Sequence, residues 1–159
     1  MTKHLVVILL SIISLIFTSC TGEKLPSAEA DKVWTYLTDT NSYLKWDSWP
    51  GYEGIYPGKS PHGKYLKLYA NSKAIKAASE GKPMPEGAII VKENYGDDQK
   101  TLMAITPMYK VKGYNPEAGD WFWAKYEPNG KALKAGKVQG CIDCHRVQEF
   151  KGWLFTEPK

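Results

Sequence analysis

The segment Cys141-Ile142-Asp143-Cys144-His145 carries the most specific chemistry in this chain. Two thiols three positions apart reach the two vinyl groups of one macrocycle, and the imidazole directly behind them then lies under its metal. This is the spacing of c-type haem attachment. It predicts one covalent haem c, with thioether bonds from Cys141 and Cys144 and with His145 as the proximal ligand of the iron. A closed zinc site would need four ligands. Outside this cluster the chain beyond Cys20 adds only His62 and no further cysteine. A thioredoxin-like pair would open a helix early in its domain, whereas this pair lies near the C-terminus with a histidine behind it.

The sixth position of such an iron decides its use. His62, Met84, Met103 and Met108 are the candidates. His62, in Pro61-His62-Gly63, reads as a loop histidine satisfied by hydrogen bonds. Met103 and Met108 lie in apolar strand sequence, where core packing is expected. With no candidate standing out, an open distal site is expected, able to bind small ligands and do chemistry on them.

Residues 1–19 join a charged start to the apolar run Leu5 to Phe17 and then to Thr18-Ser19 before Cys20. That is a secretory signal, too short to span a membrane. Phe17-Thr18-Ser19-Cys20 resembles a lipobox, with Phe where Leu is commoner, so Cys20 is the expected lipidation site. The mature domain, 20–159, then faces the periplasm on a lipid anchor. Thr21, where inner-membrane retention would want Asp, favours the outer membrane. About 140 residues follow the leader, the size of one compact domain. The formal charge of +4 rests almost wholly on lysine, with Arg146 the single arginine. Export argues against a nucleic-acid partner. Lys131, Lys134 and Lys137 read as a solvated face, or as a docking patch for an acidic redox partner. The 6 Trp, 10 Tyr and 4 Phe exceed what a core of this size needs and suit a large flat cofactor.

The elements that must position this chemistry read as α+β: an antiparallel sheet, two short helices and a C-terminal haem attachment site. Ser27 is the expected cap of a helix bearing Val33, Trp34 and Leu37, ending near Thr40-Asn41. Tyr43 to Gly63 reads as an irregular aromatic loop covering something. Tyr65 to Tyr69 is a short strand, and Asn71 caps a small helix with Ala74, Ile75 and Ala78 inward. Strands follow at Ala88 to Glu93, Leu102 to Thr106, Met108 to Val111 and Trp121 to Tyr126.

The C-terminal CxxCH is preceded by Gly119-Asp120-Trp121-Phe122-Trp123-Ala124, by Gly87-Ala88-Ile89-Ile90-Val91-Lys92-Glu93 and by Pro61-His62-Gly63. In that order and spacing these blocks resemble the cytochrome P-460 family from about residue 60 onward. The resemblance implies an antiparallel β fold, usually dimeric, around a five-coordinate haem c. It further implies oxidation of hydroxylamine to nitrogen oxides and, in founding members, a lysine cross-linked to the porphyrin edge. Lys92 matches that lysine; from the residues alone it is a strand-end lysine that snorkels to water or has a specific partner. Alternation puts Glu93 on the opposite face from Lys92. The family's distal carboxylate has no counterpart, since Thr101 through Gly113 contains no Asp or Glu, and Glu117 and Asp120 sit in the turn before Trp121.

Three functions follow. The first is an enzyme oxidising hydroxylamine or turning over nitric oxide, favoured by Lys92. The second is a non-catalytic nitric-oxide-binding protein resembling cytochrome c-prime-beta, favoured by the missing carboxylate. The third is an electron carrier with a methionine as sixth ligand.

Overall fold

The computed structural model describes residues 24–159. The expected signal sequence and Cys20 lie outside the described residues. Seven strands form one antiparallel sheet: β1 (Asp47–Ser48), β2 (Tyr56–Pro57), β3 (Tyr65–Ala70), β4 (Ile89–Tyr95), β5 (Leu102–Lys110), β6 (Trp121–Tyr126) and β7 (Ala132–Gly136). Their order is β1-β3-β4-β5-β6-β7, with β2 also on β3, so everything from β3 onward is a meander. Among the described residues three short α-helices accompany them: α1 (Ala30–Thr35), α2 (Ser72–Ser79) and α3 (Gln139–His145). The α+β expectation holds, with α3 added as a third helix.

Strand alternation gives the sheet two different faces. Ile89, Val91, Phe122 and Tyr126 point to one side, where they join Tyr36, Tyr43, Tyr69 and Tyr109 under α1. Leu68, Ile90, Trp121 and Trp123 point to the other, where they join Trp49, Trp153 and Ile142 of α3. One core is thus rich in tyrosine and the other in tryptophan. Glu93, 4 % exposed, lies among the tyrosines and accepts hydrogen bonds from Tyr43 (2.9 Å) and Tyr95 (2.8 Å). The hydroxyls offset the cost of burying a carboxylate, and the expected opposition of Glu93 to Lys92 is observed.

Local sequence explains most boundaries. Asn71 caps α2 as expected: its Oδ1 accepts from the Ala74 N–H (3.1 Å) and from the Ile89 N–H (3.1 Å), tying the helix start to β4. Helix α1 begins later than Ser27. Tyr109 donates to the Pro26 carbonyl at 3.0 Å, and the chain bends at Ala28 and Glu29, where the Glu29 N–H donates to the Ser27 carbonyl; Glu29 caps the helix without a side-chain bond. The helix then widens into a π turn, Tyr36–Thr40. The 43–63 segment is less irregular than expected, because it contributes β1 and β2 to β3.

Strand β5 runs through Pro107, where two strands had been expected. The missing N–H falls on the β6 side, and pairing there skips from Ile105↔Tyr126 to Met108↔Trp123. Strand β7 is an edge strand whose Ala, Leu and Lys side chains are all exposed. It forms by backbone pairing with β6, so no hydrophobic alternation announces it in the sequence.

Candidate functional site

A cavity of about 650 Å³ lies on the tryptophan face. It opens where Pro107 interrupts the β5–β6 ladder: Thr106, Pro107, Ala124 and Lys125 all line it. Trp49, from the aromatic segment, is 1 % exposed and closes one wall, which is the covering role expected of that segment. The size suits a large organic ligand, and so does a mostly apolar wall with a few placed polar groups.

Cys141, Cys144 and His145 enter this cavity from α3. The Val138 carbonyl accepts from the Cys141 and Ile142 N–H groups, starting a helix in which Cys141, Cys144 and His145 share one face. Both cysteines are free thiols. Cys144 is exposed, while burial raises the pKa of the Cys141 thiol. His145 is buried between Trp123 (ring centroids 4.6 Å apart) and Phe155 (5.0 Å). Its Nδ1 lies 2.7 Å from the Trp153 carbonyl. A carbonyl only accepts, so Nδ1 carries the proton and Nε2 keeps its lone pair. Burial also lowers the His145 pKa, in agreement with a neutral ring. The Trp153 carbonyl is held by a backbone in the left-handed region, φ 72°, with its indole buried against Gly119. That conformation is costly for a bulky residue.

Lys92 projects from β4 into the same cavity. Desolvation there lowers its pKa to about 8, partly countered by Cys144. The alternative of a snorkelling surface lysine is therefore not what the fold does with it.

His62 also faces the cavity, its ring 6.4 Å from that of His145 at 86°. It is hydrogen-bonded as expected, Nδ1 lying 3.0 Å from Asn94 Oδ1. Desolvation and the nearby Lys92 lower its pKa to about 4. Of the methionines, Met108 is half-buried on the cavity wall, and Met84 lies away from it beside Pro83. Met103 corrects the core-packing expectation: it is 57 % exposed at the cavity rim, because β5 has no covering layer at its start. Lys64, Lys125 and Lys134 stand around the cavity with Asp97 and Glu127, so Lys134 belongs to the site as well as to the solvated edge. The two carboxylates come from turns that the sequence had not connected to the site.

The indole N–H groups of Trp49 and Trp123 are buried without a protein acceptor, and both residues line the cavity. Orphaned donors of this kind call for an acceptor from outside the chain. A haem, with an apolar macrocycle and two carboxylates, fits this wall. Among the described residues no group of three His, Cys, Asp or Glu side chains can hold a bare metal ion, so the CxxCH lacks partners for a closed zinc site. The cytochrome P-460 family model matches residues 46–156, from the aromatic segment through the CxxCH to the C-terminal turn. The chain belongs to the cytochrome P-460 family. This family binds haem, and Cys141, Cys144 and His145, which line the cavity together, are the residues that would hold it. No curated protein matches the chain.

Sequence reasoning missed three parts of the site. These are Asn94, the Trp153 carbonyl and the orphaned indole N–H groups of Trp49 and Trp123. Only the aromatic excess hinted at the last.

Proposed function

We propose that this chain is an exported c-type cytochrome with a single haem c bonded to Cys141 and Cys144 and ligated by His145. Its other face is open to small nitrogen compounds, and hydroxylamine oxidation or nitric oxide turnover is its reaction. The observation that carries this reading is the convergence, in one cavity, of the bare Nε2 of His145, both thiols and the desolvated amine of Lys92. When bound, haem supplies iron redox chemistry at an open coordination position.

The chain's own groups have separable roles. Trp153 fixes the tautomer and orientation of His145 through its carbonyl, as partners of a metal-ligating histidine commonly do. Lys92 has a neutral fraction at mildly alkaline pH, and only the neutral amine has the lone pair that a bond to the porphyrin edge requires. The leader and Cys20 would place the domain on the periplasmic side of a membrane through a lipid anchor, within reach of a periplasmic redox partner and able to form a homodimer. Among the described residues no helix is long and apolar enough to cross a membrane.

A second reading is nitric oxide capture without turnover, as in cytochrome c-prime-beta. The positions of β5 that line the cavity, Ala104, Thr106 and Met108 among them, carry no carboxylate, and Asp97 and Glu127 stand at the rim. A positioned acid or base commonly contributes ~10²–10⁴-fold to proton-coupled steps.

The absorption spectrum of protein made with haem-attachment machinery tests these readings. A strongly red-shifted, broadened Soret band on reduction supports a Lys92 cross-link and nitrogen-oxide catalysis. A conventional high-spin c-type spectrum supports capture. Sharp low-spin bands without added ligand overturn the open site and leave an electron carrier.

A further inference from the structure

The carbonyl that holds His145 belongs to a turn of uncommon backbone. Gly152 and Trp153 both lie in the left-handed region, at φ 66° and 72°. Glycine adopts that region freely, but a bulky residue stays there only where its surroundings compel it. The turn is closed from within by the Gly152 N–H on the Glu149 carbonyl (2.9 Å) and the Trp153 N–H on the Gln148 carbonyl (2.8 Å). From outside, the indole N–H of Trp121 donates to the Gly152 carbonyl at 3.1 Å. The peptide joining Gly152 to Trp153 is therefore held at both its N–H and its C=O. Its plane sets φ of Trp153, and from that plane the Trp153 carbonyl is aimed at Nδ1 of His145, 2.7 Å away.

Trp121 is itself well anchored. It opens β6, is fully buried and pairs with Lys110 of β5. The Lys110 ammonium lies 5.3 Å from the centre of the indole and donates to the carbonyl of Gly119, the residue packed against the Trp153 indole. The N–H groups of Trp49 and Trp123 find no acceptor in the chain, whereas that of Trp121 is directed at this one carbonyl. Trp121 does not line the cavity, so any effect it has on the site passes through Gly152 and Trp153.

We propose that Trp121 is a positioning residue for the iron ligand: through the Gly152 carbonyl, its indole N–H keeps Trp153 in the conformation that orients His145 and raises its basicity. The inference rests on the ligation by His145 proposed above and adds the group that regulates it. A carbonyl well placed on Nδ1–H makes the opposite nitrogen a stronger donor. A stronger donor favours ferric over ferrous iron.

The test compares the holoprotein with its Trp121→Phe variant, which keeps an aromatic ring and loses the N–H. A weaker bond to Nδ1 predicts a lower Fe–His stretching frequency in the ferrous resonance Raman spectrum. It also predicts a midpoint potential raised enough to change the ferrous-to-ferric ratio about threefold to tenfold, roughly 30–60 mV for one electron. Tyr126→Phe removes a hydroxyl donor to the Ala30 carbonyl on the tyrosine face; it is the structural control and should move neither quantity. Benzothienylalanine at position 121, with sulfur in place of the N–H and the bicyclic shape kept, serves the same comparison if the phenylalanine variant does not accumulate. A frequency and potential that stay at wild-type values, move the opposite way, or move equally in Tyr126→Phe overturn the role of Trp121 while leaving His145 as the ligand. A wild-type protein with no covalent haem in a pyridine haemochrome assay refutes the proposed function, and this inference with it.

Discussion

Replacing Lys92 by methionine should stabilise the haem-free chain, and by an amount that disappears as the pH rises. The Lys92 amine titrates near 8 in the fold against an ordinary value of 10.5. Between those values the unfolded chain binds a proton that the folded chain does not, so wild-type stability climbs with pH across this window. Below it, the full cost of holding the amine in the cavity is present. At about 1.36 kcal/mol per pH unit the cost approaches 3 kcal/mol near pH 7, and solvent entering the cavity reduces it to roughly 1–3 kcal/mol. Near pH 10 the remaining difference falls below about 1 kcal/mol. Methionine keeps most of the stem's packing and carries no charge. Urea unfolding of both proteins at the two pH values, with equal m-values required, measures the difference directly. A gap that stays constant with pH, or a variant less stable than wild type near pH 7, would refute the claim that burial sets the state of this amine.

Other consequences concern attachment and the two faces of the sheet. Cys141→Ala or Cys144→Ala should leave a single thioether and His145→Ala should remove the proximal ligand; unchanged haem retention and iron spectra in all three would exclude the assigned roles. Tyr43→Phe removes a hydroxyl donor to buried Glu93 and should cost about 1–2 kcal/mol in denaturant unfolding. Its haem spectrum should remain unaltered, because Glu93 faces away from the cavity. Gly119→Ala combines a positive φ of 62° with a Cβ 2.6 Å from the Trp153 indole. It should cost about 2–3 kcal/mol and move the Trp153 carbonyl that holds His145, seen as a shifted reduction potential.

The chain's chemistry was legible where it is local. Two thiols and an imidazole within five residues already carry their geometry, because a single helical turn or so fixes their relation. The opposition of Lys92 and Glu93 was equally legible, since strand alternation is a property of the backbone. The aromatic excess was read as suiting a large flat cofactor, and Trp49 and Trp123 line the cavity; the blocks around Lys92 and Trp121 foretold the family. The sequence overcounted the strands of β5, because Pro107, between the two expected runs, sits where only one neighbour loses a bond. It also left β7 unmarked, because an exposed edge strand is held by main-chain pairing that no side-chain pattern records.

The rest depended on contacts between distant parts of the chain. His62 and Asn94 are 32 residues apart, and only the β3–β4 register together with the tight seat of Gly63 brings them into contact. His62 alone reads as an ordinary loop histidine; the partner of its Nδ1 comes from the sheet. Trp153 gives His145 a carbonyl rather than a side chain, and no residue type advertises that. Lys92 is a strand-end lysine in sequence, and its lowered pKa comes from the cavity around it. Sequence determined which groups could bind haem, because bonding capacity belongs to residue types. Tertiary structure decided which lone pairs and charges face the cavity, because orientation and desolvation arise only when separate segments pack together.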